Sequence, residues 1–182
     1  TDYAKIMAQE MGKPIDEGIK EIEKSSLTFS YYAKNAEKML QKSQKNVAGG
    51  NSSIQYEPLG PVLAIMPWNF PFWQVTRVFV PAFLLGNTVL LKHAPGVPKC
   101  ALALEELIGR HTPAGTFQNV FASNKQVEKI IADKKIAAVT LTGSSVAGGQ
   151  VAKIAGANLK KVVLELGGSD AFIVFDDADL SK

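Results

Sequence analysis

The chain has 182 residues, 46% of them hydrophobic and 20% charged, with a formal net charge of +3. These are globular values that exclude a disordered chain, and the charge is too small and too scattered to imply a nucleic-acid partner. No stretch has the length and purity of a membrane span, and the single cysteine, Cys100, cannot make an internal disulfide, so a reducing, cytoplasmic setting is expected.

The opening "TDYAKIMAQEMGKP" lacks the apolar core of a signal peptide and does not begin with Met, which fits a processed or partial chain. Residues 1–45 read as helix. Ala4, Met7, Met11, Ile15, Ile19 and Ile22 recur at three- and four-residue steps with charges between them. Gly12 and Pro14 break or bend this stretch, and a second helical run covers Leu27 to Leu40. "VAGGNSS", Val47 to Ser53, is a turn or linker.

The texture then changes. Six short runs rich in Val, Ile and Leu follow: 61–66, 87–92, 117–121, 136–142, 161–165 and 171–175. Helix-length segments near 73–85, 98–110, 124–133 and 146–156 separate most of them. The alternation predicts an α/β fold, a Rossmann-like parallel sheet with helices on both faces, preceded by an N-terminal helical segment. The expected division is 1–57 for the N-terminal helices and a linker strand, and 58–182 for a partial nucleotide-binding domain. Ligands of such sheets sit beyond the carboxyl ends of the strands, so the strand ends carry the candidate site.

The first strand end is "PWNFPFW", Pro67 to Trp73, with four aromatics and two prolines in seven residues. The prolines stiffen the turn. Asn69 offers an amide that could stabilise an oxyanion, and Trp68 and Phe70 offer flat apolar surface. An isolated turn Asn usually bonds its own backbone, but the density of this motif favours function. The second strand end is "LKHAPGVP", Leu91 to Pro98. Lys92 could meet a phosphate or ribose hydroxyls, although a lone lysine at a strand end more often points into water. His93 and His111, with no cluster of acids or thiols around them, do not make a metal site.

"VTLTGSSVAGG", Val139 to Gly149, is a strand, then Gly143-Ser144-Ser145, then a helix start. Glycine allows close approach and a helix N-terminus attracts an anion. A Ser-capped helix with no ligand explains the same residues equally well. Glu165 in "VVLELGGSD" is either a general base beside a pocket or a carboxylate accepting N–H groups of the Gly-Gly turn. Local chemistry leaves both open.

Taken in order, "MGKP" (11–14), "PLGPVLAIMPWNFPFW" (58–73), "LLGNTVLLKHAP" (84–95), "VTLTGSSVAGG" (139–149) and "LKKVVLELGGSDAFIVFDDADL" (159–180) resemble the aldehyde dehydrogenase superfamily, most closely its succinate-semialdehyde dehydrogenase-like members. The resemblance implies NAD(P)-dependent oxidation of an aldehyde to a carboxylic acid through a cysteine nucleophile. It implies Asn69 as the oxyanion donor and Glu165 as the general base. It puts Trp68, Lys92, His93, Ala94 and Pro95 on the adenosine side of NADP or NAD, Asn69 among the cofactor contacts, Gly143 and Ser144 at the pyrophosphate, and Leu166 near the nicotinamide. Arg77 falls where the succinate-semialdehyde enzymes grip the substrate carboxylate; as a residue by itself it reads almost as well as a helix-surface arginine.

Many NAD-preferring members carry Glu where this chain has Pro95, so NADP is expected to be accepted. Cys100 does not stand in the family's cysteine motif, which lies past the "ELGG" glutamate; the nucleophile is expected beyond Lys182 and the catalytic thiol domain is absent from the chain. "ASNKQ", Ala122 to Gln126, departs from the glycine-rich turn of many members. The family also implies a homodimer or homotetramer, with no nucleic acid, membrane or metal. Two other readings remain: a dehydrogenase for another short aliphatic aldehyde, and a truncated inactive chain that only binds nucleotide.

Overall fold

The structure, a computed structural model, describes residues 2–181. Thr1 and Lys182, the outer ends of the two expected ranges, lie outside the described residues. Helix α1 (Asp2–Met11) and helix α2 (Ile15–Met39) are separated at Gly12, whose φ is +73°, and Pro14 leads into α2. Both were expected, but α2 runs unbroken from Ile15 rather than starting near Leu27. Ser25 lies within it, its hydroxyl donating back to the Glu21 carbonyl (2.9 Å), one turn earlier. Gly18 lets the two helices close: a Cβ there would stand 3.0 Å from that of Ala4.

Helix ends at Met39 and the expected helix over 40–45 is replaced by a hairpin, β1 (Ser43–Val47) and β2 (Gly50–Ile54). Its two-residue turn holds Gly49 at φ +88°, the backbone a tight hairpin requires.

The rest is a five-stranded parallel sheet. In chain order it runs β3 (Val62–Met66), α3 (Trp73–Leu84), β4 (Val89–His93), α4 (Pro98–Gly109), β5 (Phe117–Asn119), α5 (Asn124–Ala132), β6 (Ala138–Thr142), α6 (Ser145–Ala157) and β7 (Lys161–Glu165). Across the sheet the order is β5-β4-β3-β6-β7. The chain therefore builds outward from β3 in one direction, crosses over through α5, and builds outward in the other. The switch lies between β3 and β6.

Side chains alternate across each strand, and two cores result. On one face Ala64, Met66, Val89 and Leu91 pack with Phe72, Val75 and Phe79 of the α3 side, Leu104 of α4, and Ala4 and Met7 of α1. On the other, Leu63, Val139 and Leu141 pack with Val127 and Ile131 of α5 and Val151 and Ala155 of α6. The short apolar runs read from sequence contain these strands, with one exception.

The exception is 171–175, expected as a sixth strand of this series. It is not a strand, and Phe172 is 92% exposed, with Ile173, Val174 and Phe175 also exposed. An extended apolar segment becomes a strand only with a ladder to join. β7 pairs with β6 alone, and none of the described strands lies against 171–175.

Candidate active site

The loop after β3 and the turn after β6 flank the switch point, where an open α/β sheet parts its two halves and leaves a crevice. A cleft of about 300 Å³ opens there between Trp68, Asn69, Thr142, Gly143, Glu165 and Leu166. Five residues singled out in the sequence, separated by nearly a hundred positions, thus come together: Trp68, Asn69, Gly143, Glu165 and Leu166. Glu165 ends β7 with its carboxylate exposed, and its backbone carbonyl accepts from the Gly143 N–H (3.0 Å). The carboxylate is not spent on the glycine turn. Its charged neighbour is Arg77 of α3, with Nη1 3.9 Å from Glu165 Oε1.

Arg77 is not on the helix surface. Its side chain is only 30% exposed, Nη2 donates to Thr142 Oγ1 (2.9 Å), and Nε is buried without a partner. The guanidinium lies beside two residues that line the cleft, Thr142 and Glu165, while Arg77 itself borders a neighbouring hollow with Lys24, Tyr31 and Trp73. A planar fork with unspent donor capacity suits a carboxylate.

Lys92, on β4, faces another space. It lines a narrow groove of about 90 Å³ with Ile65, Asn124, Glu128, Ala147 and Gln150, between α5 and α6. Partial burial lowers its pKa by penalising the ammonium. His93 is the next residue along the strand and points to the other face. Its Nε2 bonds the Pro71 carbonyl (3.0 Å) and its Nδ1 accepts from the Ala94 N–H (2.9 Å). Those roles set a neutral ring protonated at Nε2, and burial, the largest cause, lowers its pKa. Its ring braces the loop after β3. Pro95 is exposed and puts no carboxylate after Lys92.

Ser144 caps α6, its Oγ accepting from the Ala147 N–H (3.2 Å). A glycine stands one turn on. A Cβ at Gly148 would stand 2.5 Å from Leu166 Cδ2, so this glycine makes room for the residue after Glu165. Cys100 is fully buried in α4. Burial drives its thiol pKa far up and the Glu10 carboxylate acts in the same direction, so it is not a thiolate and does not reach the cleft. An apolar hollow of about 380 Å³ between α2, α3 and α4, walled by Phe29, Phe79 and Leu104, has no Asp, Glu, Lys or Arg in its lining and His111 as its one imidazole, and is not a candidate for this chemistry.

The sequence reading missed the residues beneath the loop. Glu21 of α2 is buried, and its Oε1 accepts the N–H groups of Phe72 (2.8 Å) and Trp73 (3.0 Å). Lys13, of the "MGKP" segment, bonds Glu21 Oε2 and donates to the Asn69 carbonyl (2.8 Å). Its ammonium also sits 4.1 Å from the centre of the Phe70 ring. A signal for this existed: α3 opens on "PFW", with no Ser, Thr, Asp or Asn to cap it, so an acceptor must arrive from elsewhere.

Among the described residues no group of three His, Cys, Asp or Glu side chains could hold a metal ion, and no helix is long and apolar enough to cross a membrane. The profile of the aldehyde dehydrogenase family matches residues 1–182. The chain belongs to the aldehyde dehydrogenase family. Within that family it is 47% identical over 182 residues to the probable succinate-semialdehyde dehydrogenase [NADP(+)] of Synechocystis sp., and 46% identical over 185 residues to the succinate-semialdehyde dehydrogenase [NADP(+)] of Mycobacterium avium. These alignments cover all of this chain but 40% and 39% of the relatives. Among solved structures it superposes on succinic semialdehyde dehydrogenase from Streptococcus pyogenes in complex with NADP+ with a TM-score of 0.91. That match has 42% identity and covers 99% of this chain and 40% of the other. The chain thus spans about 40% of the length of the aldehyde dehydrogenases it matches.

Proposed function

We propose that this chain works as the cofactor-binding part of an NADP-dependent aldehyde dehydrogenase that oxidises succinate semialdehyde to succinate. The observation that carries the reading is that Asn69 and Glu165 line one cleft at the switch point, with the Arg77 guanidinium beside Glu165 and Thr142. Residues 58–182 form the nucleotide-binding unit in this reading, and residues 1–57 the helices and hairpin set against it. The relatives named above, both called NADP(+) enzymes for succinate semialdehyde, support the choice of substrate and cofactor.

The donor set fits such a cofactor. Lys92 brings a cation to the groove between α5 and α6, Pro95 brings no negative charge against a 2′-phosphate, and the α6 N-terminus at Gly143-Ser144 suits a pyrophosphate. The backbone of His93 and Ala94 would complete the adenosine side, Trp68 would meet the cofactor from the cleft it lines beside Asn69, and Leu166 would lie near the nicotinamide. When bound, NADP+ would accept the hydride. Asn69 donates its amide to the oxygen of the reacting aldehyde, where negative charge develops. Glu165 takes a proton from the attacking thiol or from the water that releases the acid. Arg77 binds the far carboxylate of the substrate. Cys100 is not the nucleophile, and the thiol comes from outside the residues described here. The lone buried cysteine needs no oxidising compartment, which supports a cytoplasmic enzyme; as in the family, it works as a homodimer or homotetramer.

The test uses the full protein expressed from its natural reading frame. kcat/KM is expected to be higher with NADP+ than with NAD+, and a strong preference for NAD+ overturns the cofactor assignment. Arg77→Ala should raise KM for succinate semialdehyde about 10- to 100-fold, the worth of a charged hydrogen-bond pair. KM for an uncharged aldehyde should barely move. Equal effects on both would favour another aliphatic aldehyde as the substrate.

A further inference from the structure

The loop that bears Asn69 is tied down at four backbone atoms by three side chains from outside it. Lys13 holds the Asn69 carbonyl, His93 the Pro71 carbonyl, and Glu21 the N–H groups of Phe72 and Trp73. Two of the three, Lys13 and Glu21, are opposite charges buried against each other. A buried ion pair is a poor device for stability alone, because desolvation offsets most of the attraction. It is a good device for fixing a geometry, since each charge is bound to its partners or stands uncompensated. Here the geometry fixed is that of Asn69, a residue that lines the cleft. Lys13 grips the backbone of Asn69 itself, and Glu21 anchors the helix start three residues on.

We infer that Lys13 and Glu21 are positioning residues for the oxyanion amide of Asn69, so that the N-terminal helices set the turnover of a site they do not line. The inference rests on the reading of Asn69 as oxyanion donor. Lys13 and Glu21 touch neither substrate nor cofactor in it. They restrict the 67–73 loop to the one position from which the Asn69 amide meets the developing charge, and misplacement by about an ångström is enough to lose about 100-fold in rate. The interaction is made in the transition state, so its loss falls on kcat rather than on KM.

Glu21→Gln, Asn69→Ala and the double variant are measured in the full protein from its natural reading frame, with a thermal melt of each to confirm a folded enzyme. The near-isosteric Gln keeps an acceptor for the two N–H groups and removes the charge. The expected result is a kcat lower by about 10- to 100-fold with KM for aldehyde and for NADP+ within about threefold. In the Asn69→Ala background, Glu21→Gln should cost almost nothing further, because it acts through the amide already removed. Lys13→Met, which frees the Asn69 carbonyl but leaves Glu21 on the helix, carries the same cycle if Glu21→Gln does not fold. An unchanged kcat in a folded variant, or losses that multiply in the double variant, overturns the inference while leaving the proposed function intact. An unchanged kcat in Asn69→Ala overturns the oxyanion reading itself, and the inference with it.

Discussion

Helices α5 and α6, on one face of the sheet, open on Ser123 and Ser144, whose hydroxyls accept from the Gln126 and Ala147 N–H groups. Helices α3 and α4, on the other face, open on Phe72 and Val97, which have no side-chain cap. Their first N–H groups go instead to carboxylates of the N-terminal helices: Phe72 and Trp73 to Glu21, and Lys99 (2.7 Å) and Cys100 (2.9 Å) to Glu10. The electrostatic requirement is the same in all four, since a helix start presents unpaired N–H groups and partial positive charge. What differs is where the acceptor sits in the chain. One half of the sheet is capped from within its own crossovers, and the other half is capped across about 50 to 90 residues. The two cores divide in the same way, with Ala4 and Met7 in one and no residue of α1 or α2 in the other. The half that carries Asn69 and Arg77 therefore depends on the helices before it, and the half that carries the α6 turn does not.

Removing the distant caps should be the most damaging change. Glu21→Ala leaves Lys13 buried without its counter-charge and two N–H groups unpaired, and should cost about 3–5 kcal/mol in chemical denaturation of the folded protein. A loss under about 1 kcal/mol would mean the pair is solvated in solution and the comparison fails. Glu10→Ala should cost about 1–2 kcal/mol, since the carboxylate is more exposed and has no buried cation to strand. Ser144→Ala should cost about 1 kcal/mol, an ordinary local cap. Hydrogen exchange separates the two kinds: the first substitution should raise exchange across 67–84, the last only around 145–149.

The smallest effect is a pH slope. The His93 pKa is lowered in the folded state, chiefly by burial. Where the pH lies between the folded value and the ordinary value of about 6.5, the unfolded chain binds the proton and the folded chain does not. Stability from the neutral ring is therefore fully present above about pH 6.5 and is lost as the pH falls below it. His93→Gln, which keeps a donor for the Pro71 carbonyl, should flatten that part of the profile; an unaltered slope would place the titration elsewhere.

Most of the secondary structure was legible because its signals are local. Short apolar runs rich in Val, Ile and Leu mark β3, β4, β6 and β7, and Gly and Pro mark the break before α2. The apolar run 171–175 misled because its pattern states only that a strand is possible, and a ladder needs a neighbour. The sequence reading started the second helical run near Leu27, whereas α2 runs from Ile15, with Ile19 and Ile22 packed against the α1–α3 core. Glu21 itself reads as one of many charges on a helix face, and Arg77 reads as a surface arginine until Thr142 and Glu165 are set beside it.

By itself the sequence determined the α/β order, the split of apolar residues between two faces, and the residue types offered at each strand end. It also carried the motifs by which the family is recognised. Only the tertiary structure decided which strand ends are neighbours. It brought Asn69 and Glu165 to one cleft, put Lys92 in a groove between α5 and α6, and used Lys13 and Glu21 to hold the loop from beneath. The physical reason is that propensity and periodicity act within a few residues. A buried charge, a borrowed cap or a cleft at a switch point is defined by partners that the chain supplies from far away.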